Sequence, residues 1–267
     1  MRKVYDFLLI LKAEIIRDFI FMKRYPLEPI SFLFFMYLIL LAILFGFNQL
    51  AGGVASLNKE KMILGYSLMQ FVMATQMGWS GQIQNESQTG TLEQLSISGH
   101  SLGEVLMARG FSQLPRQTIS FYALLSLYVM SVPNLKFQLL NTIPLTLLYL
   151  FVFAIGIFGL SFIFAGLTLL FKRVGFFFQI INFAFLGLFW QDRSSLPDGG
   201  ILAFLYDHFP LSMGMFGMQD ILTNKGMMNI SLFLEFTIHC LVFCVLGFIA
   251  FYLMEKKARK EGLLSQY

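Results

Sequence analysis

Charged residues are scarce in this sequence: they make up 13% of its 267 residues, while hydrophobic residues make up 57%. A soluble globular domain carries about 25% charged residues, so the composition excludes an ordinary soluble domain and indicates a membrane protein. The excess of Lys and Arg gives a pI near 9.0. Because these residues flank apolar runs and form no basic patch with interleaved aromatics, we predict no nucleic-acid partner.

Residues that build catalytic and metal sites are equally few. The two cysteines, Cys240 and Cys244, share one apolar run without metal or redox spacing, so we expect them to pack as small hydrophobes. The histidines, His100, His208 and His239, fall at three different predicted depths. The sequence has no G-x-x-x-x-G-K-[ST] phosphate loop and no Asp, Glu, Lys or Arg in the middle of an apolar run. Any active transport must therefore draw its energy from another polypeptide.

Apolar runs separated by polar loops predict an all-α membrane protein with one transmembrane domain over residues 1–267. Fourteen of the 19 Lys and Arg residues lie on the side of the two chain ends and five on the other. This bias predicts that both termini are cytoplasmic, and the predicted location is a bacterial cytoplasmic membrane. The six predicted spans are about 30–47, 62–82, 117–132, 147–170, 174–190 and 231–254.

Two further segments are predicted to lie at the membrane surface. Residues 3–22 are helical but too charged to span, and five charged residues fall in an arc of about 120°. They predict an interfacial helix on the inner face; a tail packed on another protein is the alternative. The segment 191–229 is broken at Gly199-Gly200 and Pro210, which predicts outer re-entrant or interfacial helices.

Prolines and small residues predict where helices break and where they approach one another. A helix from Leu102 is predicted to run towards Pro115, before the third span begins. The residues Asn141, Thr142 and Pro144 favour an outer re-entrant or interfacial start before the fourth span. That span is rich in small residues that allow close helix packing. They are Gly156, Gly159, Ser161, Ala165 and Gly166.

The second span is two-faced, with a stripe of polar and methionine side chains within an arc of about 80°. The stripe consists of Tyr66, Gln70, Met73, Met77, Ser80 and Gln84. Because polar groups in hydrocarbon are costly, the stripe should face protein or water. Packing on a neighbouring helix and lining a cargo pathway both remain open. On the pathway hypothesis its members are Tyr66, Gln70, Met73 and Met77, with Gln179 and Asn182 of the fifth span.

A polar hairpin over residues 86–101 separates the second and third spans. Thr91 and Gln94 form a T-x-x-Q capping box that opens a short helix, Leu92 to about Ser98. Ser101 and Glu104 form a second capping box. A two-turn helix with defined ends is suited to binding by a partner protein. An ordinary capped loop is the alternative.

The same hairpin carries a family signature. Glu86 followed by Gly90-Thr91-Leu92-Glu93 resembles the E-x-x-x-G-T-L-E pattern of type-two permeases of ATP-binding-cassette exporters. Leu196-Pro197 and Pro210-Leu211 resemble that family's outer-loop L-P … P-L pattern. This chain carries Ser87 and Gln88 where family members often carry charges. With span number, length and topology also matching, the resemblance covers the whole chain.

The resemblance implies a permease that is not itself an enzyme. In that family the loop after the second span carries a coupling helix that docks on a separate ATPase subunit. The implied partners are two ATPase subunits, which hold the ATP and Mg, a second identical or different permease subunit, and membrane lipid; this chain needs no cofactor. The residues implied to contact the ATPase are Glu86, Gly90, Thr91, Leu92, Glu93, Gln94 and Leu95.

The cargo is predicted to be amphipathic or apolar. The 32 phenylalanines and the uncharged span centres suit such a cargo, and they equally suit plain lipid-facing helices. We favour a drug, antibiotic or antimicrobial peptide over a lipid-linked glycan or lipid. Two other classes remain as alternatives, a membrane-embedded enzyme and a non-transporting membrane subunit of a sensor or assembly complex.

Overall fold

In a computed structural model, every regular element over the described part of the chain is an α-helix, as predicted. The described residues are 2–50, 59–92, 95, 101–132, 135, 137, 139–171, 174–190, 197, 200–223 and 228–262. The helices are α1 (Arg2–Arg24), α2 (Leu27–Leu50), α3 (Lys59–Gln88), α4 (Leu102–Ser131), α5 (Leu139–Phe171), α6 (Gly175–Trp190), α7 (Ile201–His208), α8 (Pro210–Thr223) and α9 (Ile230–Lys260).

Three helices are long and apolar enough to cross a membrane. Their qualifying segments are Leu27–Gly46 in α2, Asn141–Phe171 in α5 and Ile230–Lys260 in α9. A shorter apolar segment, Gly175–Gly187, lies in α6. A protein with several such helices is a membrane protein. Each of the six predicted spans lies within one helix, to within one residue, and the spans in α3, α4 and α6 stay predictions.

Prolines interrupt fewer helices than the sequence predicted. The predicted break at Pro115 is wrong, because α4 runs continuously through it. The predicted separate start before the fourth span is also wrong, because α5 runs through Pro144 as one helix. In an apolar environment a helix tolerates an internal proline because neighbouring helices and Ser or Thr side chains satisfy the freed backbone groups. By contrast, the predicted break at Pro210 is confirmed, since α8 begins there.

Helices α3 and α5 form the centre of the bundle. Helix α3 contacts α2, α4, α5, α6 and α8, whereas α5 contacts α3, α4, α8 and α9. In the apolar segment of α5, 72% of the residues are buried, against 11% in that of α2. The apolar surface of α2 therefore lies outward, where lipid or a partner helix covers it.

The predicted close approach of the fourth span is confirmed at its packing against α9. A Cβ on Gly159 would overlap the backbone carbonyl of Phe243, and a Cβ on Gly247 would overlap that of Gly159. Gly156 and Gly166 meet Cys240 and Met254 of the same helix. Glycine at these positions lets the two backbones touch.

Helix α1 lies against α4 with a face that contains carboxylates. Glu14 is buried there, while Leu8, Ile15 and Phe19 on its other face are about half exposed or more. Two of the five charged residues of the predicted arc, Glu14 and Asp18, face α4. An apolar outer face suits a helix embedded at the lipid interface.

Candidate functional site

A polar cavity lies between α3 and the start of α6. Its volume is about 130 Å³, enough for a few waters or one small polar group. Helix α6 is otherwise apolar at this depth. The lining residues are Met73, Gln76, Met77, Ser80, Gly81, Gln84, Gly175, Phe178, Gln179 and Asn182.

Two amide side chains in this cavity lack hydrogen-bond partners within the described part of the chain. Gln76 and Asn182 are each only 2% exposed. Neither amide atom of Gln76, nor the Asn182 carbonyl oxygen, is bonded to another described residue. A buried polar group left without a partner costs about 1–3 kcal/mol. The cavity therefore presents amide groups that a water molecule or a bound polar group would satisfy.

The structure brings together four of the six residues of the predicted pathway. Met73 and Met77 of α3 line the cavity with Gln179 and Asn182 of α6, and so do Ser80 and Gln84 of the predicted stripe. Tyr66 and Gln70 do not line it. The Tyr66 hydroxyl instead donates to the sulfur of Met36 at 3.3 Å, and Gln70 is buried with its Oε1 unbonded among described residues.

A buried ion cluster ties α3 to α4 and α1 near the end of α3. The Nη2 of Arg109 lies 2.5 Å from Oε1 of Glu86, and its Nε donates to Oε1 of Glu14 at 3.0 Å. The Arg109 side chain is 4% exposed, and those of Glu14 and Glu86 are 10% and 18% exposed. Arg109 thus forms ion pairs with carboxylates from two other helices in a site that is largely shielded from solvent.

The charge on Arg109 is secured by its two partners. Burial alone would lower the pKa of this guanidinium, but hydrogen bonds and charge attraction from Glu86, and then from Glu14, raise the pKa above its usual value. A second pair reinforces the attachment of α1, because Arg116 Nε lies 3.4 Å from Oδ2 of Asp18. The N-terminal helix is therefore fastened to α4 at two points about two turns apart.

The signature loop begins beside this cluster. Gly90 has φ +71°, a left-handed conformation for which glycine is the least strained residue. The Thr91 hydroxyl donates to the backbone oxygen of Glu86 at 3.3 Å. Glu93 and Gln94 lie outside the described residues, and so does the predicted Thr91–Gln94 capping box. The second capping box is confirmed, since Ser101 and Glu104 each accept from the other's backbone N–H.

Two leucines of the loop, both implied by the resemblance to contact an ATPase subunit, pack against the chain's own apolar core. Leu92 is 2% exposed and belongs to an apolar cluster with Trp79, Ile83 and Leu106. Leu95 packs against the same cluster and is partly buried. Leu92 thus anchors the loop on the chain's own core, so Leu95 is the one of the pair with surface left for a partner.

Sequence reasoning missed two residues of this region. Gln76 falls about 40° outside the arc of the predicted stripe. Its long amide nevertheless reaches the cavity. In the sequence Arg109 is only one of the fourteen Lys and Arg residues that indicate orientation, because its partners lie on other helices and no local spacing connects them. In the sequence, only the polarity of Gln76 within a predicted membrane span indicated a functional role.

The chain matches no protein-family model and no curated protein. The class that the fold defines is a helical membrane protein with several apolar helices.

Proposed function

We propose that this chain is the membrane-spanning permease subunit of an ATP-driven exporter in a bacterial cytoplasmic membrane. The observation that carries the proposal is the attachment of the signature loop: Glu86 is held by Arg109 where α3 ends, and Gly90 then turns the chain. The same helix lines the polar cavity with Gln76 and Met77. A force applied to the loop would therefore reach the cavity through one continuous helix.

A loop can transmit the movement of an ATPase subunit to α3 only if the loop is rigid. Three contacts stiffen the start of the loop: the Glu86–Arg109 ion pair, the bond from Thr91 to the Glu86 carbonyl, and the burial of Leu92. In this proposal a separate ATPase subunit binds the rest of the loop around Glu93–Leu95. ATP hydrolysis there tilts α3 and opens the side of the cavity.

The cavity is open to one side of the single chain. Met77 on its wall is 49% exposed, and Phe176, Phe177 and Phe183 of α6 are exposed beside it. In our proposal a second permease subunit packs on this face, and the two cavities join into one cargo pathway. Unbonded amides among methionine and phenylalanine side chains suit an amphipathic cargo with uncharged polar groups, and we favour a drug, antibiotic or antimicrobial peptide.

The proposal is tested first by purification. A tagged copy of the full chain should co-purify with an ATPase in a one-to-one ratio, and vesicles that contain both should export cargo when ATP is supplied. Gly90→Pro should uncouple hydrolysis from export, because proline fixes φ near −65° and cannot adopt +71°. Gly90→Asn is the matched control, since asparagine tolerates the left-handed region.

Leu95→Asp should weaken ATPase binding, because it places a charge on the surface that the partner would cover. The variant should still fold, since Leu95 is only partly buried. A wild-type chain that purifies without any ATPase would contradict the permease proposal. Wild-type export by Gly90→Pro and Leu95→Asp would contradict the role of the loop.

A further inference from the structure

A second cavity lies at the other end of the bundle from α1 and the signature loop. Its volume is about 250 Å³, and it is lined from four helices, α5, α7, α8 and α9. Aromatic rings and carboxylates share its wall. Five of the lining residues carry the argument: Tyr149, Tyr206, Phe216, Asp220 and Glu235.

The aromatic part of the wall is rigid. The Tyr149 ring stacks on that of Phe236, with centroids 4.9 Å apart and planes 9° apart. The Tyr206 and Phe216 rings lie 4.5 Å apart. Ring faces carry negative electrostatic potential and attract cations.

One of these rings already has a cation over it. The ammonium nitrogen of Lys61 lies 5.7 Å from the centre of the Phe216 ring, and Lys61 is only 6% exposed. The Phe216 ring therefore adds to the contacts that stabilise this buried positive charge.

The acidic part of the wall faces the solvent side of the cavity. Asp220 and Glu235 are exposed, and neither forms an ion pair with another described residue. They reach the cavity from different helices, α8 and α9. An aqueous cation entering the cavity would meet two carboxylates first and the aromatic rings below them.

A buried hydroxyl also opens into this cavity. Tyr149 is 3% exposed, and its hydroxyl has no hydrogen-bond partner among the described residues. That hydroxyl lies against Gly217, where a Cβ would overlap it, and Gly217 lines the cavity one turn from Asp220. A tyrosine oxygen left unbonded in an almost buried site is a free acceptor for a ligand.

We propose that this cavity binds an organic cation, a quaternary ammonium group in particular. Small inorganic cations are strongly hydrated, and ring faces cannot replace their water shell. An alkylated ammonium sheds water readily and contacts rings and carboxylates at once. The ligand is the headgroup of a choline lipid or a free quaternary ammonium compound, which share this chemistry. The inference does not depend on export or on an ATPase partner.

The test is binding of radiolabelled choline to the full chain in nanodiscs of phosphatidylglycerol, with unlabelled competitors. Choline should displace the label at least about tenfold more effectively than 3,3-dimethylbutan-1-ol, its uncharged isostere, because only choline gains the charge attraction. Nanodiscs that also contain phosphatidylcholine distinguish the sources. Reduced choline binding there identifies a lipid headgroup, and unchanged binding identifies a free cation.

Variants locate the site. Asp220→Asn and Glu235→Gln should each weaken choline binding by about tenfold, and both positions are exposed, so folding should survive. Glu28→Gln, an equally exposed carboxylate at the start of α2, is the matched control and should bind as the wild type does. The proposal is overturned by the absence of saturable choline binding, by equal competition from the isostere, or by wild-type affinity in both cavity variants.

Discussion

Arg109 Nη2 lies 2.5 Å from Glu86 Oε1, so the first residue of the signature pattern is bonded within its own chain. A half-buried carboxylate held by a buried guanidinium fixes the direction in which α3 ends. The same arginine holds Glu14 of α1. The N-terminal helix, the signature loop and α4 therefore meet at one charge cluster, and movement of any one of them strains the other two.

The first prediction concerns this cluster. Arg109→Leu should destabilise the protein by about 3 kcal/mol, because the half-buried Glu86 loses its partner and the buried Glu14 keeps only the exposed Arg17. Arg17→Leu is the matched control: Arg17 pairs with the same Glu14 at 2.6 Å, but its side chain is 50% exposed. That change should cost less than about 1 kcal/mol. Thermal unfolding in detergent compares the two, and equal losses of stability would contradict the importance of burial here.

The second prediction concerns the crossing of α5 and α9. Gly247→Ala should destabilise by about 1–3 kcal/mol, because the new methyl group overlaps the backbone carbonyl of Gly159, which cannot move by itself. Gly166→Ala is the control, since its methyl group meets the Met254 side chain, which can rotate away. Unfolding temperatures of the two variants measure the difference. A Gly247→Ala variant as stable as Gly166→Ala would mean that the helices cross less closely.

The sequence predicted the helices well where apolar runs have clear ends, and it predicted the small-residue face of α5. It failed at Pro115 and Pro144, because local proline chemistry was given more weight than the packing that keeps a membrane helix continuous. Six of the ten residues that line the polar cavity followed from helical periodicity. The Arg109 cluster was not predicted, because its members lie on three helices and no short stretch of the sequence contains them together.

The third prediction concerns orientation. Asn229 and Glu261 cap opposite ends of α9, a helix of 31 residues and thus about 46 Å long. In a background without Cys240 and Cys244, a cysteine at position 229 should react with an impermeant thiol reagent added to intact cells. A cysteine at position 261 should react only after lysis. The reverse labelling pattern would invert the proposed topology and remove the cytoplasmic docking site.

The fourth prediction separates packing from transport at the polar cavity. Gln76→Leu should leave the unfolding temperature unchanged or raise it, because leucine removes a buried amide whose two polar atoms have no partner among described residues. Asn182→Leu should behave likewise. If these amides contact cargo, export in reconstituted vesicles should nevertheless fall by about tenfold, the loss expected from one hydrogen-bonding group.

The control for this prediction is a polar residue of α3 that already has a partner. The Thr75 hydroxyl donates to Oε1 of Gln117 at 2.7 Å between α3 and α4, away from the cavity. Thr75→Val should therefore lower stability by about 1 kcal/mol while export per folded molecule stays at the wild-type rate. Gln76→Leu should thus lower export without lowering stability, whereas Thr75→Val should lower stability without lowering export. Wild-type export by both Gln76→Leu and Asn182→Leu would assign the cavity to helix packing and leave the cargo pathway to another face of α3.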